Sequence, residues 1–377
     1  MRTWSSPEDR ARRAPRGWRS VLLGIGAVGV AALVWLAADL GPLLAAPSQD
    51  SLLERTAEWA RTRGLGGLVT ELERLSYQLS PPPTGGVPAS GIPQAGSRDT
   101  HAATTHCGSR PMPTAAKTPL ANEGVWQTIE TVKRRPAILA TFVRPDEKHT
   151  RFLAGVTCIS QDLARFSLHP GTQVPGGTGW SQPATIAQTE SSHVLATFNS
   201  GFLIRDSMGG FWQDGNSVGH LRAGRASMVF SDTGRLDIRA WEGGPVPPGI
   251  AAVRQNLTLL VDNGRITDAV RAADSGAFGK TLGDTTFVWR SGVGIRADGS
   301  IVTVHGNALS VQTLAELLLN AGAVRAMQLD INRDWTSYIY YRHKPDFTPV
   351  KLTVDQVRPA NRYLQTSTRD FVAVDAR

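Results

Sequence analysis

"RSGVGIRADGSIVTVHGNALSVQTLAELLLNAGAVRAMQLD" runs from Arg290 to Asp330 and contains a hairpin, a helix and a strand in succession. Asp298-Gly299 separates two apolar runs. The favoured two-residue hairpin turn needs positive φ at its centre, which Gly, Asn and Asp tolerate. Ser310 then stands as a helix N-cap, Leu314, Leu317, Leu318 and Ala321 follow at helical spacing, and Gly322 is a suitable residue just past the helix end. "AVRAMQLD" reads as a buried strand that delivers Asp330 at its carboxyl end. The stretch therefore predicts an α+β domain in which sheet and helix share one core.

The same hairpin signal recurs upstream. Thr233-Gly234 lies between apolar runs in "MVFSDTGRLDI", and Asn263-Gly264 does so in "LTLLVDNGRIT". The predicted sheet is mainly antiparallel or mixed, packed with helices, and the domain spans 120–377. Upstream of it, 80–119 holds eight of the 23 prolines. Such a segment buries too little apolar surface to offset its ordering entropy, so it reads as a spacer. Residues 51–79 read as a helical stalk with Leu65, Leu68, Leu72, Leu75 and Leu79 on one face, broken near Gly64, Gly66 and Gly67. Self-association of that face and packing on the main domain are both open.

Residues 20–38 carry no charge, and a helix of that length would be roughly 28 Å long, near the hydrocarbon thickness of a bilayer. The preceding tail, 1–19, contains six Arg. By the positive-inside rule the tail is cytoplasmic and the domain extracytoplasmic. A cleaved signal peptide is the alternative, but "LLAAPS" is a poor cleavage site, which favours an uncleaved transmembrane anchor.

The formal net charge is +8, with 34 Arg against six Lys. No basic stripe interleaved with aromatic residues is present, so a nucleic-acid partner is not expected. Cys107 and Cys158 show no zinc-binding spacing; a disulfide and two unrelated thiols are both open. Nothing in the chain calls for a cofactor, and nothing sets an oligomeric state.

The chemistry centres on "VLATFNSGFLIRDSMGGFWQDG", Val194 to Gly215, a buried strand that ends in a small-residue turn. Gly201, Gly209, Gly210 and Gly215 suggest that a sugar or phosphate approaches the backbone there. Asn199 could donate to and accept from a ligand at once, or act as a turn residue. Asp330 is placed as a strand-end carboxylate, or as one that satisfies local amides. Arg290 offers a planar fork for two phosphate oxygens, or sits on a strand surface. Asp214 is a candidate second carboxylate or part of a turn. His220 and His305, both beside Gly, are the histidines placed most like pocket members. Asp330, Asn332 and Asp334 have the alternate spacing of a calcium loop, but Trp335 and Tyr341 occupy the positions of its Gly and Glu, so no metal site is expected.

Four stretches together resemble the phosphodiester glycosidase family: "TFNSGF", "GGFWQDG", "RSGVGIRADGSI" and "LAELLLNAGAVRAMQLD". The likeness runs from about Gly124 to the C-terminus. It implies hydrolysis of a bond between an anomeric carbon and a phosphodiester oxygen, with Asp330, Asn199 and Arg290 as catalytic residues. Gly201, Gly210, Asp214, Asn332 and Ser337 would bind a carbohydrate or glycosyl phosphate. The chain departs from the family after Asp330, where "INRDWTSY" replaces a run of glycines and serines. A non-catalytic binder of envelope phosphopolymers is the alternative reading.

Overall fold

A computed structural model describes residues 37–41, 52–65, 68–69, 71–72, 75, 81–96, 110–272, 277–278 and 287–377. The chain divides into two units, residues 1–70 and 71–377. In the first, helix α1 (Leu52–Ala60) runs into a wider turn, Arg61–Leu65, where Gly64 at φ 84° breaks the helical path as expected. Gly66, Gly67 and Leu79 lie outside the described residues, as do the basic tail and all but Ala37 and Ala38 of the apolar span 20–38. Among the described residues no helix is long and apolar enough to cross a membrane.

The second unit is sheet-rich. Its strands are β1 (Gln127–Val132), β2 (Arg135–Val143), β3 (Ala154–Ile159), β4 (Ala164–His169), β5 (Val194–Asn199), β6 (Phe211–Gln213), β7 (Asn216–Val218), β8 (Ala226–Ser231), β9 (Leu236–Ala240), β10 (Ile250–Gln255), β11 (Leu259–Asp262), β12 (Arg265–Ile266), β13 (Val288–Arg296), β14 (Ile301–Leu309), β15 (Ala323–Gln328), β16 (Tyr338–Arg342), β17 (Thr348–Lys351) and β18 (Phe371–Ala376). Helix α2 (Val311–Asn320) joins β14 to β15.

Three sheets form where the sequence suggested one. The first has the order β1-β2-β3-β14-β13-β15-β11-β12, the second β7-β6-β10-β8-β9, and the third β17-β16-β5-β18-β4. Every strand pair among the described residues is antiparallel. Period-two alternation sorts the side chains. Ile138, Phe142 and Val293 of the first sheet join Phe230 of the second and Phe198 and Val374 of the third in one core. The opposite face of the first sheet packs Leu139, Val156 and Val304 against Leu314 and Leu318 of α2.

All three hairpins form, but only Asn263-Gly264 takes positive φ at both central positions; the other two use their glycine alone. Asn263 and Gly264 have φ of 48° and 70°, and Gly234 and Gly299 have φ of 77° and 82°. Ser310 caps α2, its Oγ accepting from Thr313 N at 2.9 Å. The glycines of "SGVG" let α2 and β15 lie close. A Cβ on Gly292 would meet Leu318 Cδ1 at 2.9 Å, and one on Gly294 would meet Ala323 Cβ at 2.8 Å.

The described parts of 80–119 do not stand clear of the domain as a spacer would. Gln127 accepts from Ala95 N at 2.9 Å and donates to Pro93 O at 3.0 Å, and Gly85 N donates to Lys148 O at 2.6 Å. Further on, buried Glu123 gathers Thr114 Oγ1 at 2.7 Å, Leu120 N at 2.9 Å and the Arg144 guanidinium at 2.8 Å. A proline-rich chain lacks apolar area, but its carbonyls and amides can be ordered by buried polar side chains of a neighbouring sheet. Cys158 in β3 is disulfide-bonded; the other cysteine, Cys107, lies outside the described residues.

Candidate active site

The ends of β5 and β15 meet, and the amide of Asn199 fastens them. Its Oδ1 accepts from Ser337 N at 3.0 Å, while its Nδ2 donates to Ser291 Oγ at 2.9 Å and to Ser200 O at 3.1 Å. Ser291 Oγ in turn donates to Asp330 O at 2.8 Å, and Asp330 N donates to Ser200 O at 3.0 Å. Both amide hydrogens of Asn199 are engaged, so Asn199 positions the surrounding backbone and has no donor left for a ligand.

Asp330 is buried. Its Oδ1 accepts from Asn332 N at 3.0 Å, which is the local amide contact a turn carboxylate makes. Burial raises its pKa above the ordinary aspartate range; the Arg369 guanidinium and the amides of Asn332 and Ile331 oppose this, and the Asp370 carboxylate adds to it. The cluster thus holds two carboxylates in different surroundings. Asp370 is ion-paired at 2.6 Å with Arg254 Nε, both side chains buried. Arg254 also donates to Gln255 O at 2.7 Å and to Phe202 O. Ser200 N donates to Asp370 O at 3.3 Å, and beside that bond Ser200 Oγ and Asp370 Oδ1 are buried without a hydrogen-bond partner. A donor and an acceptor left open in one place fit a site that takes up water or a hydroxyl group.

Arg290 does not join this cluster. It alternates with Ser291 along β13, so its side chain lies on the α2 side, where Nε donates to Leu309 O and Nη1 to Gln328 Oε1, both at 2.8 Å. Burial lowers its pKa to about 9. The charge that Asp330 feels comes from Arg369. The loop that follows Asp330 is built around Trp335, with the Cζ atoms of Arg358, Arg369 and Arg362 at 4.7, 4.8 and 5.4 Å from its ring. Arg362 Nη1 also donates to Ser337 Oγ at 3.2 Å, and Ser337 Oγ lies 2.9 Å from Tyr363 Oη. Asn332 Oδ1 accepts from Asp334 N at 2.8 Å. Asn332 and Ser337 therefore shape this loop. Among the described residues no group of His, Cys, Asp and Glu is arranged to hold a metal ion.

The glycines near Asn199 make room for the chain itself, where a ligand was expected. A Cβ on Gly201 would meet Arg254 Cζ at 3.1 Å, and one on Gly210 would meet the His220 backbone at 2.8 Å. Asp214 (φ 46°) and Gly215 (φ 89°) form the β6–β7 turn, and Asp214 lines a separate cleft. His220 is exposed. His305 is buried and stacked on Tyr338 with ring centroids 5.8 Å apart, and burial lowers its pKa to about 3, which keeps it neutral.

Sequence reasoning passed over Arg254, Ser291, Arg369 and Asp370. Three of them left a signal. Arg254 interrupts the otherwise uncharged run "IAAVRQN", and Arg369-Asp370 directly precedes the last apolar strand.

Residues 185–330 match the family model for phosphodiester glycosidase. That span includes Asn199, Arg254, Ser291 and Asp330 and excludes the arginines around Trp335 and Asp370. No curated protein matches the chain. Among solved structures it is similar to the catalytic domain of zebrafish N-acetylglucosamine-1-phosphodiester alpha-N-acetylglucosaminidase, auto-inhibited by its pro-peptide, at 15% identity and a TM-score of 0.42, covering 76% of this chain and 96% of that one. It is also similar to a hypothetical protein from Synechocystis at 15% identity and a TM-score of 0.35, covering 69% and 64%. A putative exported protein from Burkholderia pseudomallei follows at 12% identity and a TM-score of 0.33, covering 62% and 76%. Over residues 185–330 the chain is therefore similar to the phosphodiester glycosidase family.

Proposed function

We propose that this chain hydrolyses a sugar phosphodiester, breaking the bond between the anomeric carbon and the phosphate oxygen. The observation that carries the reading is the meeting of two distant family segments at Asn199, Ser291 and Asp330, beside a second, ion-paired carboxylate, Asp370. Glycoside hydrolysis generally uses two carboxylates kept in different protonation states. Asp330, its proton favoured by burial, is the proton carrier. Asp370, ion-paired with Arg254 Nε at 2.6 Å, faces the positive charge that develops at the anomeric carbon. When the glycosidic bond breaks, its electron pair leaves with the phosphate. The phosphate oxygen takes the Asp330 proton, and water adds to the carbon and returns a proton to Asp330, giving free sugar and a phosphate monoester. A phosphate is a good leaving group, so charge stabilisation outweighs general-acid help. Arg369, which lies in the field of Asp330, replaces Arg290 as the phosphate contact in this scheme.

The same proposal places the domain outside the cell on an anchor at 20–38, acting on an envelope glycopolymer. The charge-free span after an arginine-rich tail and the disulfide at Cys158 support that placement. A binder without turnover is favoured by one observation, the engagement of the Asp330 carboxylate by Asn332 N within a loop packed around Trp335. The test is turnover of α-glycosyl phosphodiesters by the full chain in detergent, with free sugar and phosphate monoester assayed together. Arg369→Gln is expected to raise KM by about tenfold with a smaller change in kcat, as loss of a charged phosphate contact would. Saturable polymer binding with no product would establish the binder.

A further inference from the structure

A concave site lies apart from the Asp330 cluster, between β4 and β18 of the third sheet and β6, β8 and β10 of the second. Its volume is about 270 Å³. At ~30 Å³ per water molecule that is room for about nine waters, or one sugar ring. The lining is uneven in charge. Glu190, Asp214, Asp232 and Asp375 face it against a single cation, Arg165. Phe166 and Phe230, buried in the core, lie behind it.

Acidic residues alone would describe a solvated rim. Gln213 is the independent observation. It lines the cleft from β6 and is 2% exposed. Its Nε2 donates to Leu168 O at 2.8 Å, which fixes the orientation of the amide, since a flipped amide would set oxygen against oxygen. Its Oε1 is left buried with no donor. Asp375, also buried, has its pKa raised to about 7 by burial; Arg165 opposes the rise and Glu190 adds to it. The cleft therefore offers acceptors and negative charge, which suit a ligand that brings donors and positive charge.

We propose that this cleft binds a sugar unit carrying a free ammonium group. An ammonium supplies three N–H donors in a compact cation, enough to meet Gln213 Oε1 and Asp375 together. Ring hydroxyls would reach the outer carboxylates Glu190, Asp214 and Asp232. A neutral hexose offers the hydroxyls without the charge. An N-acetylated sugar replaces the cation by an amide, leaving the carboxylates uncompensated. A bare divalent cation is disfavoured because no metal-holding group exists among the described residues.

Titration calorimetry on the full chain tests this with D-glucosamine, N-acetyl-D-glucosamine, D-glucose and calcium chloride as separate probes. Glucosamine should bind saturably and at least about tenfold more tightly than either other sugar. Asp375→Asn and Glu190→Gln should each weaken it several-fold while the protein stays folded, and Asp330→Asn should leave it unchanged. Equal affinity for glucose and glucosamine, glucosamine binding untouched by both cleft variants, or calcium binding that those variants abolish would each overturn the assignment. Because Asp330→Asn is included, a failure here is distinct from a failure of the hydrolase reading.

Discussion

Asp370 and Asp375 stand at the two ends of β18, roughly 17 Å apart at ~3.4 Å per residue, and their surroundings treat them differently. Both are buried. Asp370 receives Arg254 Nε at 2.6 Å from the interior of β10, with no solvent between. Asp375 pairs in register with Arg165, but that guanidinium is exposed, and burial lifts the carboxyl to about 7. A buried, directly bonded guanidinium compensates desolvation, whereas an exposed one a strand away does not. A buried ion pair thus stands at the start of β18, by the proposed reaction centre, and a readily protonated carboxyl lies near its other end, at a second cleft.

The largest effect expected comes from breaking the first arrangement. Arg254→Met leaves Asp370 buried and uncompensated, which should cost about 3–5 kcal/mol of stability, as removal of one partner of a buried pair does. Adding Asp370→Asn to that variant should recover part of the loss. Denaturant unfolding measures both. An Arg254→Met protein as stable as the parent would mean that Asp370 is neutral in the folded state, and the contrast along β18 would disappear.

Asp375→Asn sharpens the comparison with a smaller effect of opposite sign. A carboxyl raised from 3.8 to about 7 binds its proton more tightly in the folded chain. Its share of stability is therefore present below about pH 4 and is lost as pH rises towards 7. The asparagine lacks that loss. Asp375→Asn should match the parent near pH 4 and exceed it at pH 8 by about 1–2 kcal/mol, less than the ~4 kcal/mol that the full rise would give. A variant that is less stable at pH 8 would show that Arg165 holds Asp375 charged.

The fold could be read where one residue type has one physical use. Asn263-Gly264 and Gly299 took positive φ in hairpins, and Ser310 capped the helix that its periodicity predicted. The division into three sheets was not legible, because alternation reports which faces are buried and is silent on which sheet buries them. The site was legible in its backbone positions and misread in its side chains. Asn199 and Asp330 do converge, since strand ends carry them. Arg290 failed by one residue of register: Ser291 faces the cluster and Arg290 faces α2. Gly201 signalled a close approach, but the group that approaches is the Arg254 guanidinium. A sequence shows that space is needed without showing what fills it.

The central claim is that Asp330 acts chemically, beyond its bond to Asn332 N. Asp330→Asn keeps the shape and removes the ionisable group. The decisive measurement is kcat for a sugar phosphodiester in the parent and in this variant, taken with the melting temperature of each. The account predicts a fall in kcat of about a hundredfold or more, the scale of losing one positioned proton-transfer group, with little change in melting temperature. A folded Asp330→Asn protein that turns over at the parental rate would contradict it and leave Asp330 as a turn carboxylate alone.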